Sequence, residues 1–134
     1  MRSFPLKISA PEGVKYDAPA ESLLVKCAEG DIEILAGHAD FIGTVTTGRA
    51  RITEVGGKAR LASISGGFIT VCGGEITVAA ATFEYADEID IERARRAKDD
   101  AERALRNATT DLETKKAQHK LMRAINRIKV YELK

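Results

Sequence analysis

The sequence predicts an α+β chain of two domains, a turn-rich strand domain over residues 1–86 followed by an antiparallel α-helical hairpin over residues 87–134. Composition carries the first half of that reading. All eleven Gly and all three Pro lie between residues 5 and 74, and the last sixty residues contain neither. Residues 1–86 hold 8 basic and 10 acidic side chains, whereas residues 87–134 hold 13 and 10, so nearly half of the second part is charged. The second observation is a change of hydrophobic period near residue 86, from two residues to between three and four. The whole chain of 134 residues has a formal charge of +1, which removes the electrostatic case for a nucleic-acid binder. No apolar run approaches the roughly 18 residues that cross a bilayer, and residues 1–20, with Pro5, Glu12 and Asp17, lack a signal peptide's apolar core. The chain is expected to be soluble.

Strand-length alternation appears first at Phe4, Leu6, Ile8 and Ala10. It recurs at Leu23, Val25 and Cys27, at Ile32 and Ile34, at Ala50 and Ile52, and at Leu61 and Ser63 against Ala62 and Ile64. Gly56-Gly57 and Gly73-Gly74 lie between such bursts, and paired glycines accept the positive φ of tight hairpin turns. Pro5, Pro11 and Pro19 belong at strand edges or in loops, where a missing amide donor costs least. Many short antiparallel strands in so few residues make a compact sandwich or barrel. Gly66-Gly67 interrupts an otherwise continuous apolar stretch from Ile64 to Val71, and two readings stand: a turn or bulge, or backbone left bare for close approach. Cys27 and Cys72, 45 positions apart in alternating apolar segments, read as buried core thiols rather than as a disulfide or a metal site.

From Ile89 onward Ala94, Ala97, Ala101, Ala104 and Ala108 recur at helical spacing with Leu105 beside them. Asp90 is a candidate N-cap, with Ile89 and Ala94 placed to form a hydrophobic staple. Thr110 and Glu113 have capping-box spacing, so the break falls between Asn107 and Thr110. Ala117, Leu121, Ala124, Ile125 and Ile128 share a face of the second helix, and two antiparallel helices of roughly 18 to 21 residues follow. An alanine stripe buries little area, so this hairpin is held weakly and its docking is expected to change cheaply.

Catalysis finds little support, because there is no nucleophile motif, no zinc motif and no phosphate-binding loop. His38, in Leu35-Ala36-Gly37-His38-Ala39-Asp40, reads as structural or exposed rather than as a general base. The helical part offers one ligand-like constellation. Glu84, Asp90 and Arg93 surround the start of the first helix, and Arg123 and Arg127 share a face of the second that lies beside it in an antiparallel hairpin. This is either a solvated charged face or an anion or nucleotide site.

Three segments are similar to one family. Gly30-Asp31-Ile32-Glu33-Ile34-Leu35-Ala36-Gly37-His38-Ala39, Ser65-Gly66-Gly67-Phe68, and Ala86-Asp87-Glu88-Ile89-Asp90-Ile91-Glu92-Arg93-Ala94 resemble, in order and spacing, the epsilon subunit of bacterial F-type ATP synthase. With the helical hairpin they cover essentially the whole chain. The resemblance implies a β-sandwich of about ten strands bound to the gamma subunit and the c-ring, in a non-catalytic rotor or central-stalk subunit. That subunit helps couple proton or sodium-ion transport to ATP synthesis, and it is peripheral on the cytoplasmic side of the bacterial cell membrane. Asp31 and His38 match positions that face the ring's polar loops, while Glu33 and Ala36 depart from the family's usual Gly-Ile-Leu-Pro-Gly-His.

The same resemblance implies regulation. The helices extend toward the alpha/beta catalytic head to inhibit ATP hydrolysis, where Lys115, Lys116, Lys120, Arg123 and Arg127 would meet acidic surfaces. Some relatives bind ATP through an Ile/Leu-Asp-x-x-Arg-Ala motif that Ile89, Asp90, Arg93 and Ala94 match, which implies ATP, with or without magnesium, as a regulatory ligand of this chain. Glu84, Arg123 and Arg127 match further ATP-binding positions, whereas a basic residue of the strongest binders falls here at Asp100, whose carboxylate repels a triphosphate. No cofactor is required on this reading, and no metal site is expected. The rival classes are a free-standing nucleotide sensor or enzyme, which works without partners, and a helical adaptor, which the lack of sustained heptads disfavours.

Overall fold

A computed structural model describes residues 2–134. The described residues divide into two compact units, one ending at Tyr85 and the other comprising Ala86–Lys134.

The first unit contains seven strands: β1 (Phe4–Ala10), β2 (Gly13–Cys27), β3 (Gly30–Leu35), β4 (Phe41–Thr44), β5 (Gly48–Glu54), β6 (Ala59–Cys72) and β7 (Glu75–Tyr85). Three of them are long enough to serve both layers of a sandwich. The first half of β2 pairs with β1 and its second half with β3 and β5. The first half of β6 pairs with β5 and its second half with β4, while β7 follows β6 along its whole length and pairs with β1 in parallel over Ile76–Ala79. One layer therefore holds β4, the ends of β6, the beginnings of β7 and β2, and β1; the other holds β3, β5 and the remaining halves. Counted as half-strands, the ten-stranded expectation and the seven continuous strands are the same sandwich.

Alternation places the core between these layers. Leu6, Ile8, Leu23, Val25, Ile34, Ile52, Ile64, Ile69 and Val78 are completely buried, and each contributes about 1.5–3 kcal/mol by leaving water. Pro11 lies in the β1–β2 turn. Pro5 and Pro19 face each other across the β1–β2 ladder, and Pro19 precedes the point where β2 acquires a second neighbour. The thiols depart from expectation, since Cys72 is exposed and Cys27 only half-buried, and both are free. Cys72 is the last residue of β6, on the solvent phase of the alternation, whereas Cys27 ends β2 on the core phase, in line with Leu23 and Val25, and packs partly buried against the core. Burial, with Asp31 and Glu29 nearby, pushes the Cys27 thiol pKa up.

The Gly56-Gly57 and Gly73-Gly74 pairs form the expected turns, with φ of 103° and 91° and of 59° and 84°. The turn at Gly56 is tied to the bulge in β2, where the register slips between Ala20 and Ser22 and the Glu21 carboxylate accepts a hydrogen bond from the Gly56 amide at 3.3 Å. Gly66-Gly67 makes no hairpin. It is the point at which β6 passes from one layer to the other, with φ of 63° and 111°. A Cβ on Gly67 would lie 1.8 Å from the Ala79 carbonyl oxygen, so the partner that approaches bare backbone is β7 of the same chain.

The second unit opens with a 3-10 turn (Ala86–Glu88) and continues as α1 (Ile91–Asn107) and α2 (Asp111–Leu133). The helices have 17 and 23 residues, the second longer than expected because no breaker interrupts it before the end of the chain. The Thr110 hydroxyl accepts from the Glu113 amide at 3.1 Å, and the Glu113 carboxylate accepts in return from the Thr109 amide at 3.0 Å. That reciprocal pair sets the start of α2. Ala94, Ala101, Ala117, Ala124 and Val130 are buried, whereas Ala104 is exposed and Leu121, Ile125 and Ile128 remain half-exposed. The helix contact is thus narrower than the apolar stripes suggest. On α1, Glu92 and Arg95 form an ion pair at 3.2 Å.

Gly67→Ala is expected to destabilise the sandwich by about 3 kcal/mol or more, because strained backbone and a collision with a carbonyl coincide there. Gly73→Ala, with nothing within 4 Å of the added carbon, should lose only about 1–2 kcal/mol from its φ of 59°. Chemical denaturation followed by circular dichroism checks both, and equal effects would show that the crossing is not tight.

Candidate functional site

The sequence points to two places, one in each unit. In the sandwich, β3 ends at Leu35 and a turn follows in which the His38 amide donates to the Leu35 carbonyl at 3.1 Å, with Gly37 at φ 85°. His38 Nδ1 lies 2.8 Å from the Ala39 carbonyl, and its ring is 5.6 Å from that of Phe41. The Asp40 carboxylate accepts from the Gly73 amide at 3.0 Å, which anchors this loop to the β6–β7 turn. Asp31 is exposed at the other end of β3, opposite Lys26. About 13 Å of strand separates Asp31 from Leu35, so one partner touching both Asp31 and His38 has to span the edge of the sheet. Leu35, Ile42 and Phe68 are exposed apolar residues in this unit, at 52%, 77% and 60%. Ile42 pairs with Thr70 and Phe68 with Thr44, which sets both side chains on one outer face. The sequence signal for them is an apolar residue on the polar phase of a strand.

In the hairpin the predicted set divides. Asp90 accepts from the Arg93 amide at 3.1 Å as the N-cap of α1, and Ile89 and Ala94 are buried on either side of that cap. Arg93 is exposed. Arg123 and Arg127 are half-buried and, with Lys120, occupy one face of α2 at spacings of three and four residues. They line an open groove of about 620 Å³ whose other wall is Ala97, Asp100, Ala101 and Ala104 of α1. Asp90 and Arg93 lie outside its lining, roughly 10 Å and 6 Å along the helix axis from Ala97 at the near end. Glu84 belongs to β7 in the other unit, in register with Ser63.

The alanine wall explains the groove. Side chains that end at Cβ leave space between the helices, and the long basic side chains of α2 border it without filling it. Asp100 is paired with Arg103 one turn along α1. Lys120 is the groove residue missed as a member of the site from sequence, although its spacing to Arg123 and Arg127 was available. Among the described residues no group of three or more His, Cys, Asp or Glu side chains can hold a metal, and no helix is long and apolar enough to cross a membrane. A groove with three cations and one carboxylate can hold an anion.

Comparison with known proteins bears on both units. Residues 3–86 match the family model described as ATP synthase, Delta/Epsilon chain, beta-sandwich domain, and residues 87–132 match ATP synthase, Delta/Epsilon chain, long alpha-helix domain. The chain belongs to the ATP synthase delta/epsilon family. A relative in that family, the ATP synthase epsilon chain of Bacillus velezensis, is 36% identical over 130 residues, which are 97% of this chain and 98% of the relative. Among solved structures, a chain of the Euglena gracilis mitochondrial ATP synthase superposes with a TM-score of 0.79 at 21% identity, covering 90% of this chain and 76% of that one. A chain of the Tetrahymena thermophila mitochondrial ATP synthase central stalk and c-ring superposes with a TM-score of 0.59 at 14% identity, covering 98% and 96%. At those identities the two structures speak for the delta/epsilon fold.

The cap geometry separates two roles of Asp90. Asp90→Ala should destabilise the hairpin by about 1 kcal/mol, while Asp90→Asn, which keeps an accepting oxygen, should change stability by a few tenths. Amide exchange in the first turn of α1 measures this. Protection lost equally in both variants would mean that charge, not the cap, is what Asp90 supplies.

Proposed function

We propose that this chain is the epsilon subunit of a bacterial F-type ATP synthase, a non-catalytic member of the central stalk that binds the gamma subunit and the c-ring. The observation that carries the reading is agreement along nearly the whole chain: both family models match in order, and the epsilon chain of Bacillus velezensis aligns over 97% of this chain and 98% of its own length. The sandwich supports a fixed attachment, because its core is continuous and its exposed apolar residues Leu35, Ile42 and Phe68 suit burial against protein. His38 and Asp31 are the contacts proposed for the ring. Rotor attachment on this reading places the chain at the cytoplasmic side of the membrane, without insertion.

The hairpin is the regulatory part of the proposal. Its two helices meet through alanine, which contributes far less per residue than the leucine and isoleucine of the sandwich, so its arrangement responds to small energies. Extended toward the alpha/beta head, Lys115, Lys116, Lys120, Arg123 and Arg127 meet acidic surfaces and ATP hydrolysis is inhibited. ATP bound to the closed hairpin opposes that state, and a hundredfold excess over its dissociation constant shifts the balance by about 2.7 kcal/mol. Arg123 and Arg127 are the anion contacts, with the cap at Asp90 and the Arg93, Ile89 and Ala94 around it setting the start of the helix.

Copurification from cells expressing a tagged chain tests the rotor assignment. Recovery of gamma and the ring, with ATP hydrolysis by the depleted complex falling when the chain is restored, is the expected result. A chain that purifies alone and turns over nucleotide by itself would replace this reading with that of a free-standing enzyme.

A further inference from the structure

We infer that Asp40 is the positioning residue of the loop between β3 and β4: it fixes the His38 imidazole in one tautomer, with Nε2 presented as an acceptor to a partner group that carries an N–H. This rests on the ring contact proposed for His38 and names the chemistry that meets it. The loop is short, and Ala36 and Phe41 at its two ends are packed against the core of the sandwich. Phe41 is in register with Val71, which sets Asp40 beside the end of β6. Gly73 stands past the last ladder pair of β6 and β7, Cys72 with Glu75, so its amide finds a partner outside the ladder. That partner is the Asp40 carboxylate, which accepts at 3.0 Å.

The peptide between Ala39 and Asp40 carries this tie to His38. On one side it belongs to the residue whose carboxylate is held at Gly73, and on the other it ends in the Ala39 carbonyl, 2.8 Å from His38 Nδ1. A carbonyl oxygen only accepts, so Nδ1 bears the hydrogen in this contact. A neutral imidazole has one N–H, and Nε2 is then left with its lone pair. The Phe41 ring borders the imidazole from the β4 side at 5.6 Å, and the His38 amide closes the turn by donating to the Leu35 carbonyl at 3.1 Å. What the imidazole has left to offer is the acceptor at Nε2. It fits a backbone amide, a side-chain amide or a cationic side chain on the partner, and not a carboxylate or a carbonyl. An imidazole without the Ala39 contact is free to carry its hydrogen on Nε2, where it opposes the same N–H.

The test uses the full-length chain, Asp40→Ala, and Asp40→Asn, which keeps an accepting oxygen for the Gly73 amide. Nitrogen magnetic resonance at about pH 8, where imidazole is ordinarily neutral, should show the His38 hydrogen on Nδ1 in the unmodified chain and in Asp40→Asn. Asp40→Ala should show a mixture of tautomers. Binding is then measured to ATP synthase depleted of this chain, once with its ring and once as the catalytic head with gamma alone. Asp40→Ala should bind the complex with the ring about fivefold more weakly than the unmodified chain and the head equally well, with Asp40→Asn restoring most of the loss. His38→Phe, which keeps a ring and lacks the acceptor, should lose as much. A His38 hydrogen on Nε2 in the unmodified chain would overturn the proposal, as would undiminished binding of His38→Phe to the complex with the ring. An Asp40→Ala variant that keeps both tautomer and affinity would overturn the role of Asp40. Equal weakening toward both complexes would do the same, because a damaged sandwich, not a misplaced imidazole, acts on both. An unmodified chain that binds neither complex would overturn the rotor reading itself.

Discussion

β6 and β7 have to leave one layer of the sandwich and enter the other side by side, and the contact between Gly67 and the Ala79 carbonyl is where that happens. A chain with a side chain at residue 67 would hold the two backbones apart, since the Cβ position is occupied by carbonyl oxygen at 1.8 Å. Three features depend on the crossing. The Ser65 and Thr82 hydroxyls, in register just before it, hydrogen-bond to one another. The Gly67 carbonyl accepts from the Val45 amide at 2.9 Å, which continues the β4 side of the sheet. β4 in turn pairs with the β6 residues beyond the crossing, and so the loop carrying His38 and Asp40 is set by two glycines more than twenty residues away.

The two units are held by different means. In the sandwich, large aliphatic side chains are removed from water on both layers, and the last residue of β7 is fastened three ways. The Tyr85 hydroxyl donates to the Lys15 carbonyl at 2.6 Å, its ring stacks edge to face with Phe83 at 5.0 Å, and the Arg60 guanidinium lies 3.8 Å from its centre. That cluster fastens the end of the strand unit at its last residue. The hairpin after it relies on helix propensity, on caps at Asp90 and Thr110, and on alanine packing. Each cap contributes about 1 kcal/mol, comparable to the burial of one methyl group, so no single interaction dominates this unit.

Those differences decide what was legible in the sequence. The alternation of β1 and the caps at Asp90 and Thr110 were readable because each depends on residues within a few positions of one another. The paired glycines at residues 56 and 73 were equally local. Gly66-Gly67 stayed ambiguous, since its meaning lies in Ala79 on another strand, and sequence spacing does not report which backbone approaches. Cys72 was misread because it follows an apolar alternation right up to the strand end, where the last residue turns to solvent. In the hairpin the sequence supplied Arg123 and Arg127 but joined them to Asp90 and Arg93 by proximity along an idealised pair of helices. The geometry instead puts them across from Ala97, Asp100 and Ala104, about one to four turns further along α1.

On the proposed function the cations of α2 have two uses that exclude each other. Lys120, Arg123 and Arg127 border the groove and are also candidates to meet acidic surfaces of a catalytic head. A side chain holding phosphate is not available to a carboxylate on a partner, so ligand and partner compete through the same three charges. The energies are of similar size. Three exposed ion pairs with a partner contribute up to about 3 kcal/mol together, and a ligand at a hundredfold excess over its dissociation constant contributes about 2.7 kcal/mol. Neither term overwhelms the other, and that near-balance is what lets a change in ligand concentration decide the state. It also explains why weak packing between the helices suits the task. A hairpin closed by leucine and isoleucine would add several kcal/mol to the closed side, and a ligand with 2.7 kcal/mol to give would then decide nothing.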